Sequence, residues 1–251
     1  MNILCTNDDG YLAEGLRVLA NAARPLGRVT VVAPDREQSA TSHSLTLHHP
    51  LRSRRSTDGT LVVDGTPTDC VILAVNALLD HRPGICFSGV NHGANMGEDV
   101  LYSGTVAAAM EATVLGIPSV ALSYTGPDFE SIAAWEETLT ALLEVLVERT
   151  FPPDTLLNVN LPAIDPAEVK GIRVTSLGER RYADSLTRAT DPSGREYFWI
   201  GGGTRSWTGR TGRKDSDFGA VEEGFISVTP LHLDLTNYKL LEEIRSWDLA
   251  L

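Results

Sequence analysis

The 251-residue chain carries 33 acidic and 21 basic residues, which gives a formal net charge of −12. This balance argues against a broad basic face, so we expect neither a nucleic acid polymer nor a membrane surface as a partner. No apolar run approaches the roughly 18 residues that a membrane-spanning helix needs. The chain length suits one α/β domain that carries an extension.

The N-terminal residues and the cysteines indicate where the protein resides. Residues 1–5 have neither a basic segment nor a long apolar segment, so we expect no secretory signal peptide. Cys5, Cys70 and Cys86 lie in apolar segments without C-x-x-C spacing, which favours buried reduced thiols over a disulfide or a thiolate metal site. These features predict a cytoplasmic protein.

Short apolar strands alternate with amphipathic helices in the first part of the chain. The predicted strands are residues 2–6, 28–33, 85–88, 119–123 and 156–160. The predicted helices are residues 12–23, 68–79, 105–115 and 132–149. This alternation predicts a Rossmann-like parallel sheet in an α/β fold, with helices on both faces. We assign residues 1–162 to this core.

The pattern changes after Pro162. Strands are predicted at residues 172–177, 196–200 and 224–229, a Gly-rich basic loop at 201–214 and a short helix at 239–247. The strand at 196–200 reads EYFWI and is too apolar for an unpaired edge, so we expect it to pair, and another subunit is one candidate. We assign residues 163–251 to a β-rich extension and oligomerisation arm of a single domain.

The strongest chemical signal is the segment Asn7-Asp8-Asp9-Gly10, directly after the first strand. Ligands of open parallel sheets bind outside the carboxyl ends of the strands. Adjacent carboxylates repel each other unless a cation lies between them, so a divalent ion is the usual solution. The alternative is a turn followed by a helix N-cap, since these residue types favour both.

Three more polar loops are expected at the same edge of the sheet. Residues 34–42 contain Ser39, and residues 88–97 contain the amides of Asn91 and Asn95. Residues 102–111 run through Ser103, Gly104 and Thr105 into a helix, whose first N–H groups can bind an anion. Solvated loops, and simple N-capping by Ser103, are the alternatives.

Together these loops supply carboxylate, hydroxyl and amide oxygens and the positive end of a helix. That combination is what metal-assisted phosphoryl chemistry requires, and oxygen ligands favour Mg²⁺, Mn²⁺ or Ca²⁺ over Zn²⁺. His43 and His92 lie in the same loops, where either a substrate contact or a structural role is open. The dinucleotide fingerprint, the P-loop and the G-x-S-x-G elbow are absent from the sequence.

Several ordered motifs resemble the SurE family of survival-protein 5′/3′-nucleotidases. They are Asn7-Asp8-Asp9-Gly10, Val32-Ala33-Pro34-Asp35-Arg36 leading to Ser39, Gly65-Thr66-Pro67-Thr68-Asp69-Cys70-Val71, Ser88-Gly89-Val90-Asn91 with Gly93 and Asn95, Tyr102 to Glu111, Asn158-Val159-Asn160-Leu161-Pro162, and Ser227-Val228-Thr229-Pro230-Leu231. The resemblance covers nearly the whole chain, and only the loop at 201–214 matches poorly.

The resemblance implies one divalent ion, Mg²⁺ or Mn²⁺, held by Asp8, Asp9, Ser39 and Asn91. It also implies a phosphate pocket at Asn95 and at Ser103, Gly104 and Thr105. Members of this family release phosphate from nucleoside monophosphates, some also cleave short polyphosphate, and they form homodimers or homotetramers with exchanged C-terminal arms.

The resulting hypothesis is a metal-dependent nucleotidase in which Asp8 or Asp9 accepts a proton from the attacking water or orients it. Three other functions remain open on the residues. They are a phosphatase for other small phosphoesters, a non-catalytic nucleotide sensor that uses the same pocket, and a sugar transferase that uses the acidic pair on a nucleotide-sugar.

Overall fold

The computed structural model describes residues 1–127, 129–179, 186–200, 215–247 and 249. The strands are β1 (Asn2–Thr6), β2 (Arg28–Pro34), β3 (Ser53–Arg55), β4 (Leu61–Val63), β5 (Ile85–His92), β6 (Ser119–Tyr124), β7 (Thr155–Leu161), β8 (Ile172–Val174), β9 (Leu186–Thr190), β10 (Glu196–Ile200) and β11 (Ile226–His232). The helices are α1 (Glu14–Ala23), α2 (Pro67–Leu73), α3 (Gly104–Val114), α4 (Glu136–Val147), α5 (Asp217–Glu222) and α6 (Tyr238–Ile244). No helix within these ranges has the length and apolar character to cross a bilayer.

Nine strands form one mixed sheet in the order β3-β4-β2-β1-β5-β6-β7-β11-β8. The six strands from β4 to β7 are mutually parallel, which confirms the predicted parallel core. β3 pairs antiparallel with β4, and β11 pairs antiparallel with β7. The C-terminal part of the chain therefore adds strands to the same sheet.

Helices cover both faces because consecutive side chains of a strand point to opposite sides. Ile3 and Cys5 of β1 belong to the apolar cluster that packs under α1 and α4. Leu4 belongs to the opposite cluster, which packs under α2 and α3. All three cysteines are buried and free, as predicted, and burial raises the pKa of the Cys5 thiol to about 12.

Several predicted elements are shorter in the structure, for local reasons. The helix predicted at 68–79 is interrupted because Leu79 N–H bonds the Ala74 carbonyl, which widens the chain into a π-helical segment, Ala74–Leu78. Regular helix begins at Glu136 rather than at residue 132, after a 3₁₀ segment. The strand predicted from residue 224 begins at Ile226, because Gly224 turns with a φ of +83°.

The strand predicted at 196–200 is present and pairs with β9 in an antiparallel hairpin. Pairing is thus confirmed, and its partner is the preceding strand of the same chain. Tyr197, Phe198, Trp199 and Ile200 nonetheless stay exposed. We call this hairpin together with α6 the C-terminal arm. The predicted loop at 201–214 lies outside the described residues.

The order of the strands determines where a ligand can enter. From β1 the chain first moves to β2 and β4 on one side, and then crosses to β5, β6 and β7 on the other. This reversal leaves a crevice at the carboxyl ends of β1 and β5, which is the usual ligand position in open α/β sheets. Asp8 follows β1, and Asn91 lies at the end of β5.

Candidate active site

Asp8 lies at the carboxyl end of β1 against the first turn of α3. Its side chain is only 3% exposed, and its Oδ1 accepts a hydrogen bond from the Thr105 hydroxyl. The Thr105 main chain also stabilises the carboxylate. A negative group at a helix N-terminus interacts favourably with the helix dipole. The start of α3 therefore fixes the orientation of Asp8.

Gly104 permits this close contact. A Cβ atom at residue 104 would lie 2.8 Å from Asp8 Cβ and 2.9 Å from Asp8 Oδ2. Real Cβ atoms are not found so near other heavy atoms, so any side chain here would displace Asp8. The glycine that the sequence assigned to a phosphate pocket is thus also the residue that admits the carboxylate.

Asp9 is half-buried and is held from β5. Its Oδ2 accepts the main-chain N–H of His92 at 3.1 Å. Its Oδ1 makes no hydrogen bond to any of the described residues. One carboxylate of the pair is therefore locked against α3, while the other has one oxygen available toward the crevice.

Burial raises the pKa of both carboxyl groups. Desolvation is the largest cause for Asp8, whose pKa rises to about 6, and the neighbouring Asp9 adds to the rise. Desolvation also raises the pKa of Asp9, and Glu37 contributes in the same direction. Within the described part of the chain, no lysine, arginine or histidine forms an ion pair with either group. A bound cation would relieve this repulsion.

Ser39 and Asn91, the other predicted metal ligands, lie on a loop and at the end of β5, in segments that hydrogen bond to the acidic pair. Gln38 N–H bonds the Asp8 carbonyl at 2.7 Å, and the Ser39 hydroxyl donates to Glu37 Oε1 at 2.7 Å. Asn91 donates its amide N–H to the Gly93 carbonyl at 2.8 Å, which leaves its Oδ1 for a ligand. The four predicted ligands thus come from neighbouring segments, and their role as ligands stays a prediction.

Asn95 is held by three buried polar side chains. Its main-chain N–H bonds Asn160 Oδ1 at 2.9 Å, and its carbonyl accepts from Asn158 at 2.7 Å and from Asn160 at 3.0 Å. Its own amide donates to Ser123 Oγ at 2.8 Å. Sequence reasoning gave no role to these two asparagines of β7. The signal available was two buried amides that alternate with apolar residues in a strand.

The segment between Asn95 and α3 is also fastened from the C-terminal part of the chain. Asp217 is fully buried and accepts the main-chain N–H of Gly97 at 2.8 Å, and those of Gly178 and Phe218. Desolvation raises the pKa of this carboxyl group, although the three N–H donors oppose the rise. This contact was not expected from the sequence.

Ser103 caps α3, because its Oγ accepts the Val106 N–H at 3.0 Å. N-capping by Ser103, the alternative to phosphate binding, is therefore present. The capping oxygen acts as an acceptor, and the hydroxyl proton of Ser103 has no acceptor within the described ranges. The single hydroxyl proton of Thr105, by contrast, is directed at Asp8.

The two histidines of these loops make different contacts. His43 Nε2 lies 2.8 Å from Oε2 of Glu111, a largely buried residue of α3. The His92 ring is exposed and stacks on Phe129, with ring centroids 4.6 Å apart and an interplanar angle of 26°. His43 thus has a partner on α3, whereas one face of the His92 ring is left toward solvent.

Comparisons with known proteins identify the family. The profile of the family described as Survival protein SurE matches residues 3–184. The 5′-nucleotidase SurE of Gemmatimonas aurantiaca is 57% identical, covering 98% of both chains, and that of Geobacter metallireducens is 50% identical, covering 100% of this chain and 98% of the relative. The crystal structure of the SurE protein from Aquifex aeolicus superposes with a TM-score of 0.86 at 42% identity, covering 98% of each chain. The chain therefore belongs to the SurE family.

Proposed function

We propose that this protein is a divalent-metal-dependent 5′-nucleotidase that hydrolyses nucleoside monophosphates to nucleoside and inorganic phosphate. The observation that carries the proposal is the pair of adjacent carboxylates at the strand-order reversal, with Asp8 buried against the first turn of α3 and Asp9 half-buried beside it. The names of the relatives, 5′-nucleotidase SurE, agree with it. 3′-Nucleotides and short polyphosphate carry the same terminal phosphoryl group and belong in the same assay.

The donor set suits a hard divalent ion. Among the described residues no group of three or more His, Cys, Asp or Glu side chains is placed to hold a metal. A metal site here would therefore need neutral oxygens beside the two carboxylates. Asp8 and Asp9 supply charge, while Ser39 and Asn91 would supply neutral oxygens, a combination that Mg²⁺ and Mn²⁺ accept. When bound, the ion would polarise a phosphate oxygen and lower the pKa of water.

The two carboxylates would have different roles toward the attacking water. Asp9 has an oxygen without a hydrogen-bond partner among the described residues, so it is the better placed of the two carboxylates to accept a proton from the attacking water. Asp8, held by Thr105, keeps its orientation. The water attacks phosphorus in line while the nucleoside hydroxyl departs.

The first turn of α3 is suited to the phosphate. The Thr105 N–H serves Asp8 and the Val106 N–H serves Ser103, so the Gly104 N–H and the helix dipole would favour an anion there. The hydroxyl proton of Ser103 and the buried Asn95 lie at the same edge. Donors held in place before reaction stabilise the charge that develops on the equatorial oxygens.

Phosphate release tests the proposal directly. We expect release from AMP, GMP and IMP with Mn²⁺ or Mg²⁺, and no release in excess EDTA. The panel also includes glycerol phosphate, 3′-AMP and tripolyphosphate, and hydrolysis of glycerol phosphate at a rate equal to that of AMP would favour a general phosphatase. A folded, metal-loaded protein that binds AMP without releasing phosphate would be a sensor. Release only from a nucleotide-sugar with an acceptor present would indicate a transferase.

We also propose a homodimer or homotetramer formed through the C-terminal arm. The supporting observation is the exposure of large apolar side chains on both parts of the arm, including Trp199 at 63% and Leu240 at 40%. Exposed apolar patches of this kind commonly mark protein interfaces. Light scattering on the full chain tests this, and a monomer at micromolar concentration would contradict it.

A further inference from the structure

The ring of His92 forms a flat surface beside the acidic pair. Its backbone N–H is bonded to Asp9, so the ring lies within one side-chain length of the carboxylate. The ring is exposed and stacks on Phe129 at 4.6 Å. We call these two rings the stacking platform.

Phe129, the inner ring of the stacking platform, is held by contacts to the core and to α1. Phe129 is partly buried against the core cluster that includes Tyr124, whose ring centroid lies 6.2 Å away. It also touches α1, since a Cβ on Gly15 would lie 2.7 Å from Phe129 Cζ. On the other side, Gly93 N–H bonds the Tyr124 carbonyl at 3.0 Å and fixes the chain after His92. One ring of the stack is therefore anchored, and the other presents its outer face to solvent.

We propose that the outer face of His92 stacks on the base of the nucleotide. The proposal rests on the 5′-nucleotidase function proposed above and names the part of the protein that distinguishes a nucleotide from a base-free sugar phosphate. A phosphate at the acidic pair leaves the ribose and base to extend outward, past the residue that is bonded to Asp9. Stacking tolerates every base because each base has a π face. The platform therefore selects nucleotides as a class rather than one nucleotide.

Paired substrates test the platform. We compare kcat/KM for AMP and for ribose 5-phosphate, which lacks the base, in wild type, His92→Ala, His92→Phe and Phe129→Ala with Mn²⁺. The His92→Ala variant keeps the main-chain N–H that holds Asp9. We expect the ratio of AMP to ribose 5-phosphate to fall about tenfold in His92→Ala, in line with the usual value of one base–aromatic stack. His92→Phe keeps a planar ring, so its ratio stays near that of wild type.

His81→Ala is the matched control, because His81 is an exposed histidine at the opposite, amino-terminal edge of the sheet. An unchanged ratio in His92→Ala, or an equal fall in His81→Ala, overturns the platform. If wild type releases phosphate from neither substrate, the 5′-nucleotidase proposal fails, and calorimetric titration with adenosine then decides the platform alone. Weaker adenosine binding in His92→Ala supports it, and equal binding contradicts it.

Discussion

At the carboxyl edge of the sheet, Asp8, Asn95 and Thr105 are buried and hydrogen bonded, whereas in the C-terminal arm Trp199 and Leu240 are exposed. The first region buries these three polar side chains and hydrogen bonds them within one chain. The second region leaves apolar groups in water, and among the described residues the hairpin strands pair only with each other. Because burying polar groups is costly unless they are paired, the first region is ordered by specific contacts. In the proposed oligomer, the arm would gain its burial from a partner subunit.

Matched leucine truncations in two helices test this difference most strongly. Leu143 of α4 is fully buried, and Leu240 of α6 is 40% exposed. We expect Leu143→Ala to lower the free energy of unfolding by about 2–5 kcal/mol at any protein concentration. Leu240→Ala is expected to cost less than about 1 kcal/mol in dilute protein, and more as the concentration rises. Denaturant unfolding at two concentrations measures both, and equal effects would remove the distinction.

Removing the charge of Asp8 tests the polar region. We expect Asp8→Asn to reduce phosphate release about 10²–10³-fold, because a charged ligand and its fixed orientation are lost. The circular dichroism spectrum should stay that of wild type. Asp80→Asn, at an exposed position on the other edge of the sheet, is the control and should retain wild-type turnover. Normal turnover in folded, metal-loaded Asp8→Asn would exclude the assigned role.

Asp8→Asn lowers activity, but in the absence of metal it is expected to raise the free energy of unfolding relative to wild type at neutral pH. Burial raises the Asp8 pKa from 3.8 to about 6, so the folded state holds the proton more tightly than the unfolded state. This stabilisation is complete below about pH 4 and is lost as the pH rises through 6. In EDTA, the stability of Asp8→Asn relative to wild type should therefore increase by about 3 kcal/mol between pH 4 and pH 8. Urea midpoints at both pH values check this, and a pH-independent difference would contradict it.

Gly104→Ala offers the smallest change that still perturbs the site. The added methyl group would clash with Asp8 Cβ and Oδ2, so it moves the carboxylate away from the start of α3. We expect about a tenfold loss of kcat/KM and weaker Mn²⁺ binding, with little loss of stability, because alanine favours helix over glycine. Ala107→Gly, one turn further into α3, is the converse control. It should lower stability by about 1 kcal/mol and leave Mn²⁺ binding unchanged.

The core of the fold could be read from the sequence because its strands are continuous buried apolar runs. Shorter elements carried too little pattern. β3 contains Ser53, Arg54 and Arg55, all exposed, so its residues show no strand pattern. It is a strand because it pairs with β4. α5 is only six residues long, and its N-cap Ser216 is a weak signal by itself.

The candidate site, like the fold, could be predicted only in part from the sequence. The convergence of Asp8, Asp9, Asn91 and Asn95 at one edge followed from their positions after parallel strands. The hydrogen bonds of these side chains could not be predicted from the sequence. The Thr105 hydroxyl could bond either a phosphate or Asp8, and it bonds Asp8 because Gly104 lets that carboxylate approach α3. The assignment of residues 1–162 as the core and 163–251 as the extension stays a prediction.

The carboxylate of Asp217 lies 120 residues beyond the glycine whose N–H it accepts. During synthesis, the loop that carries Asn95 emerges from the ribosome long before this anchor does. The nascent chain must therefore hold that loop by other contacts, among them those of Asn95 to β6 and β7, until residue 217 has been added. A protein released early, even with every proposed metal ligand translated, would lack the clamp that closes this side of its site.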